Sequence, residues 1–239
     1  MILANVRGRL RGADFRLVVL ALARGDPAVA ARAERRLLAE GPDALLDEPG
    51  LLEGLLALRS LVVPSPPLFT YVAVRHTLLA AGVDDRDLAD YLAALLLEFG
   101  QHNRHARIGG GGGVSDDQTY NYLVDIVSDL SQEPEGAERG FLLQAHLGNY
   151  SLWLAGLFPD YIAARRLRAG GPDLLYYDEL GRQGYDLASR HVLAERFGVA
   201  GIYREAAGRF PALRAAFNRL SDRVFFPNVF TADKVIRNL

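Results

Sequence analysis

Hydrophobic positions along this chain recur at helical spacing almost from end to end. Phe69, Val72, His76 and Leu79 fall on one face, separated by three, four and three residues. Leu88, Leu92, Leu95 and Phe99 form a second stripe, and Phe210, Leu213, Phe217 and Leu220 a third. Alternating β-branched runs joined by Asn-Gly or Asp-Gly turns, which mark hairpins, are almost absent. The pattern predicts an all-α protein: a compact array of about ten helices with a buried central helix near 141–158.

The polar punctuation agrees with this spacing. Ala13–Arg24 reads as a first helix, closed by Gly25. Asp26-Pro27 opens the next, because an Asp N-cap accepts free N–H groups and Pro at the first helical position misses none. That helix reaches Glu40 and stops at Gly41-Pro42. Short helices follow at Asp43–Asp47 and Gly50–Leu61. The prolines of Val63–Leu68 mark a linker, since three prolines in four positions cannot be helix interior, and the last of them can open a helix. Asp84, Asp85 and Asp87 sit where a helix running to Phe99 begins, suited to capping and to the dipole. Further helices are expected from Ser115 to about Ser131, over Tyr161–Arg168, from Asp173 to Phe197, near Ile202–Ala207 and from Pro211.

The stretch Phe141–Asp160 stands apart. It carries no formal charge between Phe141 and Phe158, and it holds the only Trp. A helix that is apolar all round belongs in an interior. On a wheel, Gln144, Gly148, Ser151 and Ala155 form a narrow, small-residue sector. Tyr177, Gly181, Gly184 and Ala188 form a similar one on the predicted helix Asp173–Phe197. Two glycines inside a helix cost about 1 kcal/mol each relative to Ala, and close helix contact would offset that. The two small stripes are therefore expected to face each other. The opposite side of the second helix carries Asp178, Glu179, Arg182, Asp186 and Arg190, with i,i+4 ion pairs Asp178–Arg182 and Asp186–Arg190 expected in solvent.

Composition narrows the function classes. The 239 residues form a single helical domain in this reading, with the Gly-rich loop 103–114 as a point of sub-division into two halves. The five glycines Gly109–Gly113 lie in a basic, polar stretch that a partner could order. No cysteine is present, which removes disulfides, thiolate catalysis and Cys-ligated metals. Net charge is −2, and aromatic residues do not interleave with the Arg clusters, so nucleic-acid binding is not expected. No apolar run approaches the length of a transmembrane segment, and a cytoplasmic location is the expectation.

Candidate chemistry lies mainly on the central helix. His146, Asn149, Tyr150 and Trp153 oppose its small-residue side. Polar groups on a buried helix need hydrogen-bond partners, either in a core network or in a ligand pocket. His76 sits on an apolar face and is a further pocket candidate, although a lone His there is more often structural. Glu98, His102 and His105 are spaced i, i+4 and i+7, which would place them on one helical face as metal ligands. Gly100 interrupts that face, and no second helix carries a matching Glu-x-x-His, so no cofactor is assigned beyond a metal ion at these three residues. No diagnostic family motif is present. Two functional readings follow. The first is a non-enzymatic interaction, assembly or regulatory module with a protein partner or a second copy of itself. The alternative is a helical enzyme or ligand-binding protein with an inter-helix pocket lined by His146, Asn149, Tyr150 and Trp153.

Overall fold

The computed structural model describes residues 1–58, 61–101, 116–134, 136–229, 231 and 234–235. The fold is all-α, with thirteen α-helices and no strand among the described residues. Two units are distinguished, one formed by Ala4–Leu97 and the other by Met1–Leu3 together with Glu98–Leu239.

The Ala4–Leu97 unit contains α1 (Gly12–Ala23), α2 (Pro27–Glu40), α3 (Pro42–Leu46), α4 (Leu51–Leu58), α5 (Pro66–Ala80) and most of α6 (Arg86–Gln101). The starts at Asp26 and Asp85 are built as the sequence implies, whereas α5 begins one residue ahead of the last proline, at Pro66. Asp26 accepts from Ala28 N at 2.8 Å and Val29 N at 3.4 Å. Ser65 caps α5 through Leu68 N at 3.2 Å, ahead of Pro66 and Pro67. Asp85 accepts from Asp87 N and Leu88 N at 3.0 and 2.9 Å at the start of α6. One buried cation organises this unit. Arg75, 1% exposed, forks onto Asp47 at 2.7 and 2.9 Å and also pairs with Asp84. Arg86 adds a bond to Asp47 at 2.6 Å. A buried guanidinium without such partners would be strongly destabilising.

The other unit is built on α8 (Glu138–Leu157), whose fourteen buried residues confirm the interior helix expected near 141–158. Around it lie α7 (Asp116–Gln132), α9 (Pro159–Ala169), α10 (Leu174–Ser189) and α13 (Phe210–Leu220), with α11 (Val192–Arg196) and α12 (Ala200–Gly208) packed on α10. The packing of α8 on α10 is the most extensive, and it is as close as the small stripes imply. A Cβ added at Gly184 would lie 2.7 Å from both Gln144 O and Gly148 N, and one at Gly148 would lie 2.6 Å from the Tyr185 ring. Gly181 departs from the expectation. It faces the Phe210 ring of α13 instead of α8. The stripe on α10 therefore serves two neighbours, α8 and α13, both of which α10 touches.

Two other expectations are corrected. The predicted helix Asp173–Phe197 breaks at Arg190–His191. His191 turns extended (φ −77°, ψ 140°), and its Nδ1 accepts from Leu193 N at 3.1 Å, which starts α11. Because Nδ1 is the acceptor, Nε2 carries the hydrogen and donates to Gly136 O at 3.1 Å. The side chain thus satisfies groups on two segments only when the helix stops. Asp178 is the other case. It is 7% exposed and pairs with Arg214 of α13 at 2.7 Å, so that side of α10 is not wholly solvated. Asp186 and Arg190 do form their i,i+4 pair, at 2.6 Å.

Candidate ligand-binding site

The polar face of α8 meets a cavity of about 290 Å³ inside its own unit. His146 and Asn149 lie on that cavity, one turn apart, with Leu142, Leu143 and Ala145 from the same helix. Phe99, from the last turn of α6, lies across from them, and Tyr203 of α12 and Ile2 contribute further wall. Glu98 and Arg139 add charge at the cavity. Most of the lining surface is apolar, with His146, Asn149, Tyr203, Glu98 and Arg139 as its polar members. Two cavities elsewhere in the unit are smaller, at about 180 and 110 Å³.

Each polar group has a defined environment. The His146 ring is half-buried and stacks on Phe99, with centroids 5.9 Å apart. Burial, with the charge of the Met1 amino group adding to it, pulls the imidazole pKa down to about 4, so the ring is neutral at pH 7. Asn149 is 4% exposed, and its Oδ1 accepts from the Tyr185 hydroxyl of α10 at 2.8 Å. Tyr185 is fully buried, and burial holds its pKa well above the usual phenol value. It therefore keeps its proton and acts as the donor. Tyr185 stacks on Tyr203 at 5.6 Å, which ties α10 to α12 behind the cavity. The charge of Arg139 is balanced by Asp129 at 2.7 Å and by Glu133.

The remaining sequence candidates fall in different places. Tyr150 and Trp153 continue an aromatic cluster behind Phe99, at 6.5 and 5.5 Å from its ring, and the Trp153 ring meets Phe158 edge-on at 4.9 Å. Such contacts contribute about 0.5–1.5 kcal/mol each beyond area burial. They support Phe99, which in turn lines the cavity with His146. His76 belongs to the Ala4–Leu97 unit, where its Nε2 lies 2.9 Å from Leu46 O and burial lowers its pKa. Of the metal candidates, Glu98 is at the cavity, whereas His102 and His105 lie outside the described residues, as does the Gly109–Gly113 run. Among the described residues, no group of three His, Cys, Asp or Glu side chains is arranged to hold a metal ion. No described helix is long and apolar enough to cross a membrane.

In the sequence Phe99 reads only as part of a buried stripe, and Leu142 and Tyr203 were not singled out. An apolar or aromatic residue that lines a void has the same spacing as one that fills a core. The one available signal was position: Phe99 closes the stripe of α6 next to Gly100, where a helix end can leave a gap. No protein-family model, curated protein or solved structure matches this chain.

Proposed function

We propose that this protein binds a small, uncharged, largely apolar molecule in the cavity between α8, the end of α6 and α12. The observation that carries the reading is the cavity itself: about 290 Å³, partly open and lined mostly by apolar surface, with His146 and Asn149 one turn apart on one helix. Dry apolar cavities of about 150 Å³ admit benzene. A space of this size suits a bicyclic molecule and falls at the small end of drug-sized pockets. A neutral imidazole and a fixed amide would orient such a ligand without demanding charge from it.

Binding is favoured over proton-transfer chemistry by the environment of His146. A general base works best with a pKa near the operating pH, and this ring is shifted far below it. The assembly reading drew on an excess of apolar surface along the central helix. Most of that surface is covered inside the unit by α10, α13 and α7, which leaves less for a partner.

Calorimetric titration with benzene, indane and naphthalene tests the proposal. Saturable binding of at least one of them is expected. Ala145→Phe, which places a ring in the cavity from the α8 wall, should abolish that binding while the circular dichroism spectrum is unchanged. No saturable binding by any of the three, or full binding in Ala145→Phe, would overturn the proposal.

A further inference from the structure

Two groups of packed rings border the cavity. In the first, the Phe99 ring of α6 has Trp153 at 5.5 Å, His146 at 5.9 Å and Tyr150 at 6.5 Å between centroids. In the second, Tyr203 of α12 has Tyr185 at 5.6 Å and Phe141 at 6.3 Å. Phe99, His146 and Tyr203 are the members that reach the cavity. Phe99 and Tyr203 are buried, and the rings packed on each of them fix its plane. Phe99 and His146 lie 24° from parallel, and 5.9 Å between centroids is the spacing of displaced rings rather than of a face-on overlap. Each therefore covers only part of the other's face.

An aromatic ring has negative faces and a positive edge, and a second ring gains by setting edge to face or by a displaced stack. A saturated ring fills the same space and leaves the same water, but it has no such charge distribution to match. The aliphatic walls Ile2, Leu142, Leu143 and Ala145 treat both kinds of molecule alike, because dispersion attraction does not depend on a π face. We propose that the cavity selects an aromatic ligand over a saturated one, and that Phe99 is the specificity-determining residue. The inference rests on the ligand-binding reading above and names the class of molecule within it. Phe99 is the ring that makes this choice because it is all hydrocarbon. His146 and Tyr203 also carry polar atoms, which a ligand of either class can use. A bound aromatic ring adds one member to the cluster of Phe99, Trp153 and Tyr150, whose last two rings are themselves 5.8 Å apart.

Dissociation constants of benzene and cyclohexane, measured by NMR shift titration, test the proposal. Cyclohexane leaves water more readily than benzene, so the readout is the change in the benzene-to-cyclohexane affinity ratio between proteins, in which that difference cancels. Phe99→Leu is expected to lower the ratio about three- to tenfold, the size of one ring-to-ring contact. Leu142→Ala enlarges the cavity and leaves the Phe99 ring in place. It should shift both affinities together and keep the ratio within about twofold. If Phe99→Leu fails to fold by thermal melting, Phe99→Met takes its place with the same expectation. On the wild type, NOEs from bound benzene to the Phe99 ring protons are expected whichever variant folds. A ratio that stays unchanged without the Phe99 ring, an equal fall in Leu142→Ala, or no NOE to Phe99 overturns the inference and leaves the binding reading standing. If benzene is too small to saturate the site, indane and cis-hydrindane replace the pair, with the same change in ratio expected. Failure of benzene, indane and naphthalene alike to bind overturns the binding reading itself.

Discussion

The imidazole of His146 rests on Phe99 and borders the cavity, and its surroundings oppose protonation. The sign of the linkage follows. The unfolded chain takes up a proton near pH 6.5, whereas the folded chain waits until about pH 4. The stabilisation is therefore complete above pH 6.5 and is lost as pH falls from there toward 4, where the unfolded state holds the extra proton. His76 shifts in the same direction. Urea denaturation at pH 7 and pH 5 should show a smaller loss of stability for His146→Phe than for the wild type, because carboxylates titrate alike in both. Equal losses would show that the ring titrates normally. His146 and Asn149 were legible in the sequence because each is a polar residue on a helix with no charge to keep it wet. Asp178 was misread for a related reason. Its i,i+4 spacing to Arg182 implies a surface pair, but a stronger partner, Arg214, lies on another helix. Spacing within one helix carries no information about what arrives from outside it.

Between elements, α10 lies close against α8, and glycines at such a contact differ from those on an open face. At Gly184 an added Cβ meets backbone atoms of α8, Gln144 O and Gly148 N, which cannot swing aside like a side chain. Gly184→Ala should therefore destabilise the protein by about 2–3 kcal/mol, as overpacking does, despite a helix-propensity gain of about 1 kcal/mol. Gly201 in α12 has nothing within 4 Å of its added Cβ, so Gly201→Ala should be neutral or stabilise by a few tenths of a kcal/mol. Denaturant midpoints of the two variants test the pair, and a stable Gly184→Ala would mean that the helices are further apart. Helix starts were legible where an acidic side chain caps them, at Asp26 and Asp85, whereas the Ser65 cap of α5 lies in the stretch read as a linker. The break after α10 was not, because Arg190-His191 contains no Gly or Pro. It depends on a bond from His191 to Gly136 O, fifty-five residues away in sequence.

For the molecule as a whole, the all-α class was evident from periodicity alone, since the 3.6-residue repeat recurs in nearly every segment. The division into units was less legible. It falls between Leu97 and Glu98, inside α6, at a point with no compositional break. Sequence punctuation marks where helices end, whereas this boundary depends on which neighbours each turn of a continuous helix meets. The same division makes the cavity-bearing unit discontinuous. Met1–Leu3 belong to it, Ala4–Leu97 do not, and the chain rejoins it at Glu98. Ile2 and Phe99 thus line one cavity from opposite ends of a long intervening segment. Closing a loop of that length costs about 4 kcal/mol of chain entropy, before the contacts it permits can repay it. Contacts of such high sequence separation are slow to form. In refolding from urea, ligand-binding competence followed by calorimetric or fluorescence competition should lag behind the far-ultraviolet helix signal, and simultaneous recovery would contradict this. On the ribosome the order is sharper still: Ile2 is made well before Glu98, and its side of the cavity waits for the rest of the wall to follow it.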